Sequence, residues 1–241
     1  MYYHLSDHIY VTQFREEYIL LDTQKDKYTI CSKEFSGLLG SIFEKNVLFP
    51  TVNKEISQEF AFIERLLADK IIAKEDVLYP FYIDKKPNSS GVPNVDWRLP
   101  LKNSEIKFNL RVLQALWSLI RVNFYIKFRG FYSGIQLIKN SRKAQTEYSI
   151  PTTSELENLA QTLNKACVFY PTRTKCLEWA MAYVLLALKR KWRCNMEVGV
   201  QNYPFFAHAW VECDGKVVMD KQNLRTGMAV ILNEPFRKLR L

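Results

Sequence analysis

Residues 174–191 read TKCLEWAMAYVLLALKRK, followed by CNMEVGVQNYPFFAHAWVEC over 194–213 and DGKVVMD over 214–220. From Cys176 to Leu188 nearly every position is apolar. A helix that is apolar all round lies at the centre of a core. Thr174 is the expected N-cap, which places Cys176 in the first turn. The positive end of a helix and its unpaired N–H groups favour a thiolate and can stabilise an oxyanion. The next three runs, 194–201, 207–213 and 216–220, alternate as strands do. Asp214-Gly215 between the last two is a strong hairpin signal. His208, Trp210 and Glu212 share one face of their strand, and the hairpin is expected to carry Asp220 on the strand beside His208.

His208 is the only histidine after residue 8, so one imidazole is available to a thiol in this half of the chain. An aspartate holding one ring nitrogen leaves the other for that thiol. Cys176, His208 and Asp220 are therefore the candidate nucleophile, base and orienting residue. Cys31, Cys167, Cys194 and Cys213 are expected to be packing residues. The chemistry read from these residues is acyl transfer through a thiol. Hydrolysis of a peptide, transfer to an amine (as in a transglutaminase or arylamine acetyltransferase) and a catalytically inactive peptide-binding module all remain open.

Upstream, residues 151–170 predict a helix capped by Thr153 or Ser154. Residues 97–143 predict a helical, basic segment with ten Lys and Arg against the single acid Glu105, and with Ile106, Leu110, Leu113, Trp117, Ile120, Phe124 and Phe128 at helical spacing. The expectation is an amphipathic layer packed on the catalytic core. The alternative is a docking face for an acidic partner or a membrane surface. Residues 84–96, DKKPNSSGVPNVD, read as a linker. The expected division is 1–83, linker 84–96, and 97–241.

Ahead of the linker, residues 9–14, 17–22 and 27–31 predict an antiparallel meander with turns at Arg15-Glu16 and Thr23 to Asp26. Two helices follow. The first starts at Ser32 to Glu34 with Phe35, Leu38, Leu39, Ile42 and Phe43 on one face. The second runs from Ile56 to Ala68 with Phe60, Ile63, Leu66 and Leu67 inward. This is a winged-helix-like α+β unit. DNA binding needs phosphate neutralisation by Lys and Arg. Residues 1–85 instead hold 10 Lys and Arg against 14 Asp and Glu, a net of −4, while the remainder holds 24 against 11, a net of +13. An open edge strand can instead take up an extended peptide. Lys27, Tyr28, Thr29, Ile30 and Cys31, beside Phe60, Ile63 and Leu67, are the candidate groove.

Composition narrows the remaining classes. No run of about 18 apolar residues predicts a membrane span, and MYYHLSDHIY has neither the basic nor the apolar region of a secretory signal. Five cysteines without regular spacing suggest reduced thiols in a cytoplasmic protein. There is no paired Cys/His ligand pattern for a metal and no phosphate-binding P-loop, so no intrinsic cofactor or metal is expected.

The order Cys, His, Asp on helix, strand and strand resembles the transglutaminase-like (papain-like) cysteine proteases. More closely, 174–191 together with EVGVQNYPFFAHAWVECDGKVVMD resembles the leader peptidase of lasso-peptide biosynthesis, the B protein. YVTQFREEYILLDTQKDKYTI resembles the PqqD-like precursor-recognition domain fused in front of many B proteins. The resemblance implies that the N-terminal unit binds the leader of a ribosomally made precursor. It implies that the C-terminal unit cuts leader from core through Cys176, His208 and Asp220. A partner cyclase then closes the ring, and any ATP requirement would belong to that cyclase. An export transporter or a membrane surface is a further possible partner, and no nucleic acid is implied.

Overall fold

The computed structural model describes residues 2–44, 56–93, 97, 99 and 109–240. The expected strands appear as β2 (Ile9–Phe14), β3 (Glu17–Asp22) and β4 (Lys27–Ile30), preceded by an unexpected β1 (Tyr2–Leu5). The helices α1 (Lys33–Glu44) and α2 (Ile56–Ala68) follow, then β5 (Ile72–Glu75) and β6 (Lys85–Lys86). The second half contains α3 (Leu110–Ser141), α4 (Thr153–Phe169), α5 (Cys176–Lys189), β7 (Asn195–Gln201), β8 (Phe206–Cys213), β9 (Lys216–Val217), α6 (Leu224–Gly227) and β10 (Ala229–Glu234). The class is the expected α+β.

The front sheet has the order β4-β3-β2-β6, so β4 is an edge among the described residues. β1 and β5 pair separately, Tyr2 with Glu75 through Leu5 with Ile72. Strand alternation divides the front sheet between two cores. Ile9, Val11, Tyr18 and Leu20 pack with Leu39, Ile42, Phe43, Ile63 and Leu66 of α1 and α2. The opposite face, Tyr10, Phe14, Ile19 and Leu21, belongs to the main core with α3, α4, α5 and the second sheet. The tyrosine hydroxyl of Tyr10 donates to Glu234 Oε1 of β10 at 2.9 Å inside this shared core.

Residues 84–92, read from sequence as an open linker, are pinned to both halves. Lys85 and Lys86 form β6, parallel to β2. Asp84 Oδ2 accepts from Val230 N at 2.8 Å, Ser89 Oγ donates to Gly227 O at 2.6 Å, and Val92 N donates to Gln201 Oε1 at 2.8 Å. The polar residues that suggested a tether are there to satisfy backbone groups across the junction. Residues 94–96 lie outside the described set.

The second sheet has the order β10-β7-β8-β9, all antiparallel. Helix α5 runs through the middle of the main core, buried from Glu178 to Leu188 as its all-apolar sequence predicts. Two side-chain hydrogen bonds tie it to α4: Trp179 Nε1 to Asn164 Oδ1 at 2.8 Å, and Tyr183 OH to Leu156 O at 2.9 Å. The cap of α4 is Thr152 rather than Thr153 or Ser154. It forms a reciprocal capping box with Glu155.

Helix α3 departs from expectation. Trp97 and Leu99 are not helical, Ile106 lies outside the described residues, and the helix begins after Asn109, whose side chain caps Val112 N. The stripe Leu110, Leu113, Trp117, Ile120, Phe124 and Phe128 faces solvent, with Leu110 77% and Trp117 64% exposed. The face that packs on the core is the opposite one, Val112, Ala115, Ser118, Leu119 and Val122. α3 bends at Gly130, whose φ of 79° and ψ of 168° lie outside the helical region and suit glycine alone. No described helix is long and apolar enough to cross a membrane.

Candidate active site

The structure places Cys176 at the first position of α5. The preceding cap residue is Lys175, not Thr174. Its backbone N–H is taken up by Glu178 Oε2 at 3.0 Å, and Asn123 Nδ2 fixes the other oxygen at 3.0 Å. Glu178 is thus the acid that suits a helix N-terminus. Thr174 is buried just ahead of the cap.

The strand β8 brings His208 opposite Gly199 of β7, with the imidazole 2% exposed. The Asp214-Gly215 turn forms as predicted, with φ values of 49° and 82°. Two positive φ values in succession match the twist of a tight hairpin. β9 is shorter than expected, however, and pairing ends at Val217 with Glu212. Met219 then adopts φ 55°, and Asp220 reaches His208 from this bend rather than from a strand. Its Oδ2 lies 2.8 Å from His208 Nε2, and its Oδ1 accepts Lys221 N at 2.7 Å. With Nε2 engaged, Nδ1 is the nitrogen left for the thiol.

The electrostatics of this group are those of an ion pair. Burial opposes charge on His208. The hydrogen bonds its ring donates to Asp220 and Cys176, and their negative charge, outweigh it and bring the imidazole up to about 9. Burial also opposes the Cys176 thiolate. The hydrogen bond and charge of His208, with the N–H groups of Ala209 and Leu177, outweigh it and hold the thiol below its ordinary value. The two shifts both favour thiolate paired with imidazolium. The Cys176 N–H, at the open end of α5, is a ready oxyanion donor.

The other thiols lack this environment. Burial pushes Cys31 and Cys167 up to about 11. Cys194 is buried just ahead of β7 and Cys213 at the end of β8, and the Cys213 thiol donates to Arg193 O at 3.3 Å.

The expected peptide groove is only partly open. Ile30 and Phe60 are exposed at 40% and 57%, and Lys27 and Thr29 are exposed as well. Cys31 and Ile63 instead point into the small core, and Leu67 is half-buried against it. Tyr28 turns the other way, toward the second half of the chain, where its ring meets Phe205 with centroids 5.3 Å apart. Phe205, just ahead of β8, was not anticipated from sequence. Its place beside a distant strand is tertiary and leaves no local pattern.

Residues 118–233 match the transglutaminase-like superfamily, a span that contains Cys176, His208 and Asp220. Over 226 residues the chain is 22% identical to the "Microcin J25-processing protein McjB" of Escherichia coli, covering 92% of this chain and 96% of that protein. No solved structure matches. The two matches agree with the resemblance to lasso-peptide B proteins drawn from the sequence.

Proposed function

We propose, on the premise that residues 118–233 form a transglutaminase-like domain, that the chain is a cysteine peptidase of lasso-peptide biosynthesis. In this reading residues 1–83 bind the leader of a precursor peptide and residues 97–241 cut leader from core. The relative named for processing microcin J25 supports a processing role on a precursor. The observation that carries the chemistry is the alignment of Cys176 at the start of α5 with His208 and Asp220, the last two 2.8 Å apart.

The Cys176 thiolate attacks the scissile carbonyl, and the backbone N–H at the helix start stabilises the oxyanion. The C–N bond breaks as His208 gives its proton to the departing amine of the core. The leader remains as a thioester on Cys176. Water then attacks with His208 taking its proton, which frees the leader acid and the thiolate. Asp220 keeps the ring oriented and supports its charge. The freed core amine is the group that a partner cyclase joins to an acidic side chain, and any ATP is used there.

The test is the mass of the products when the chain is incubated with the precursor encoded beside it, with and without the cyclase. Hydrolysis predicts a leader acid and a core with a free amine, whose masses total the precursor plus one water. A leader carrying an added amine instead would show acyl transfer and overturn the reading.

A further inference from the structure

We propose that Tyr28 and Phe205 form one binding subsite, shared between the two halves of the chain, for an apolar leader side chain within two residues of the scissile bond. This rests on the leader-peptidase reading above and adds to it that the recognition unit builds one wall of the catalytic site.

The first support is strand alternation. Tyr28 and Ile30 are register partners of Leu21 and Ile19, which face the main core. Tyr28 packs against the same core as Cys176, Leu177, Ala207 and Met219. The edge strand proposed to receive the leader therefore turns one of its own side chains toward the thiol's surroundings.

The second support is the loop between β7 and β8. Phe205 lies three residues before His208, and its ring meets Tyr28 at 5.3 Å with an interplanar angle of 57°. The loop is anchored to the β2–β3 turn. Tyr203 OH donates to Glu17 Oε1 at 2.6 Å, Asn202 Nδ2 donates to Glu17 Oε2 at 2.7 Å, and the Arg15 guanidinium lies 5.8 Å from the Tyr203 ring centre. The loop that carries Phe205 is thereby held, yet Phe205 stays 41% exposed. Burial, the nearby Asp26 and the charge of Cys176 push the Tyr28 hydroxyl up to about 12, so the ring stays neutral while the thiolate is present.

An extended peptide added to the β4 edge advances about 3.3 Å per residue and turns every second side chain toward the face that carries Tyr28. The last such side chain before the thiol meets the outer surface of this tilted ring pair. Aromatic surfaces of this kind suit an apolar or aromatic side chain and disfavour a carboxylate.

The experiment measures kcat/KM by product mass for the wild type, Tyr28→Ala and Phe205→Ala. Each acts on the neighbouring precursor and on variants with alanine at each of the last three leader positions. Iodoacetamide alkylation of Cys176 is followed in parallel as a report on the thiolate. Each aromatic substitution is expected to lower kcat/KM about five- to tenfold on the native precursor. The alkylation rate is expected to stay within about twofold, since the groups that tune the thiolate are untouched. For one precursor variant the wild type itself slows and the aromatic substitutions cost nothing further. An equal loss on every precursor, or no loss on any, overturns the subsite. Cleavage persisting in Cys176→Ala would overturn the peptidase reading itself, a result distinct from an uncoupled Phe205→Ala.

Discussion

Asp220 Oδ2 meets His208 Nε2 at 2.8 Å although no strand carries the aspartate to that point. The left-handed Met219 and the bond from Lys221 N to Asp220 Oδ1 hold the carboxylate in place. This arrangement favours charge on the imidazole and so, in the proposed mechanism, sets the pH range of cleavage. Activity requires thiolate and imidazolium together. It is expected to rise as pH climbs through the depressed Cys176 value and to fall as pH passes about 9, where His208 deprotonates. Both limbs belong to the coupled pair. Asp220→Asn removes a contact that raises His208, so the alkaline limb moves to lower pH and kcat/KM falls on the order of 10²- to 10⁴-fold. A kcat/KM profile against pH for both forms checks this.

Gly199 lies opposite His208 in the β7–β8 ladder. A Cβ there would run into the Trp210 ring and reach 3.0 Å from Met228 Cβ. Trp210 is fixed by its indole bond to Glu197 at 2.9 Å and cannot swing aside freely. Gly199→Ala is expected to cost about 1–3 kcal/mol of stability and to lower activity along with it. Thermal denaturation and the cleavage rate measured on one preparation test the link.

The two faces of α3 predict opposite outcomes. Leu119 is fully buried, and Leu119→Ala is expected to cost about 2–5 kcal/mol. Trp117 is 64% exposed, and Trp117→Gln is expected to change stability by no more than about 0.5 kcal/mol. Denaturant titration of the two variants distinguishes this orientation from the reverse one.

Tyr10 and Glu234 join the front sheet to the second sheet. Burial, and then the neighbouring carboxylate, raise the Tyr10 hydroxyl, so it remains a donor. Tyr10→Phe leaves a buried carboxylate oxygen without that donor and is expected to cost about 1–3 kcal/mol. Because the two sheets share one core, the loss is expected to shift a single cooperative melting transition rather than split off a separate one for residues 1–83. Calorimetry decides between these outcomes.

Much of the fold is legible because its elements obey one period each. β2, β3 and β4 follow alternation, α1 and α2 follow the helical repeat except at Phe35 and Phe60, which the periodicity places on the inward faces and which are 44% and 57% exposed, and the Asp214-Gly215 turn declares its hairpin. α5 is legible because no polar face competes. The orientation of α3 is not. Val112, Ala115, Leu119 and Val122 compete with a bulkier stripe on the other side, and side-chain size does not say which of two apolar faces meets a core. The pairing of β1 with β5 joins strands of four residues across most of the front unit, beyond any local signal. Cys176 and His208 could be singled out by helix position and scarcity. The contact of Tyr28 with Phe205 depends on how the two halves meet, which no spacing in the sequence records.

In the proposed mechanism the Cys176 sulfur carries the leader. The most direct test of this is the intact mass of the protein quenched in acid during turnover of the precursor, followed by mapping of the adduct. A leader thioester on the peptide containing Cys176 is expected, with no adduct and no cleavage in Cys176→Ala. Cleavage by Cys176→Ala, or a leader adduct on Cys167 or Cys213, would contradict it.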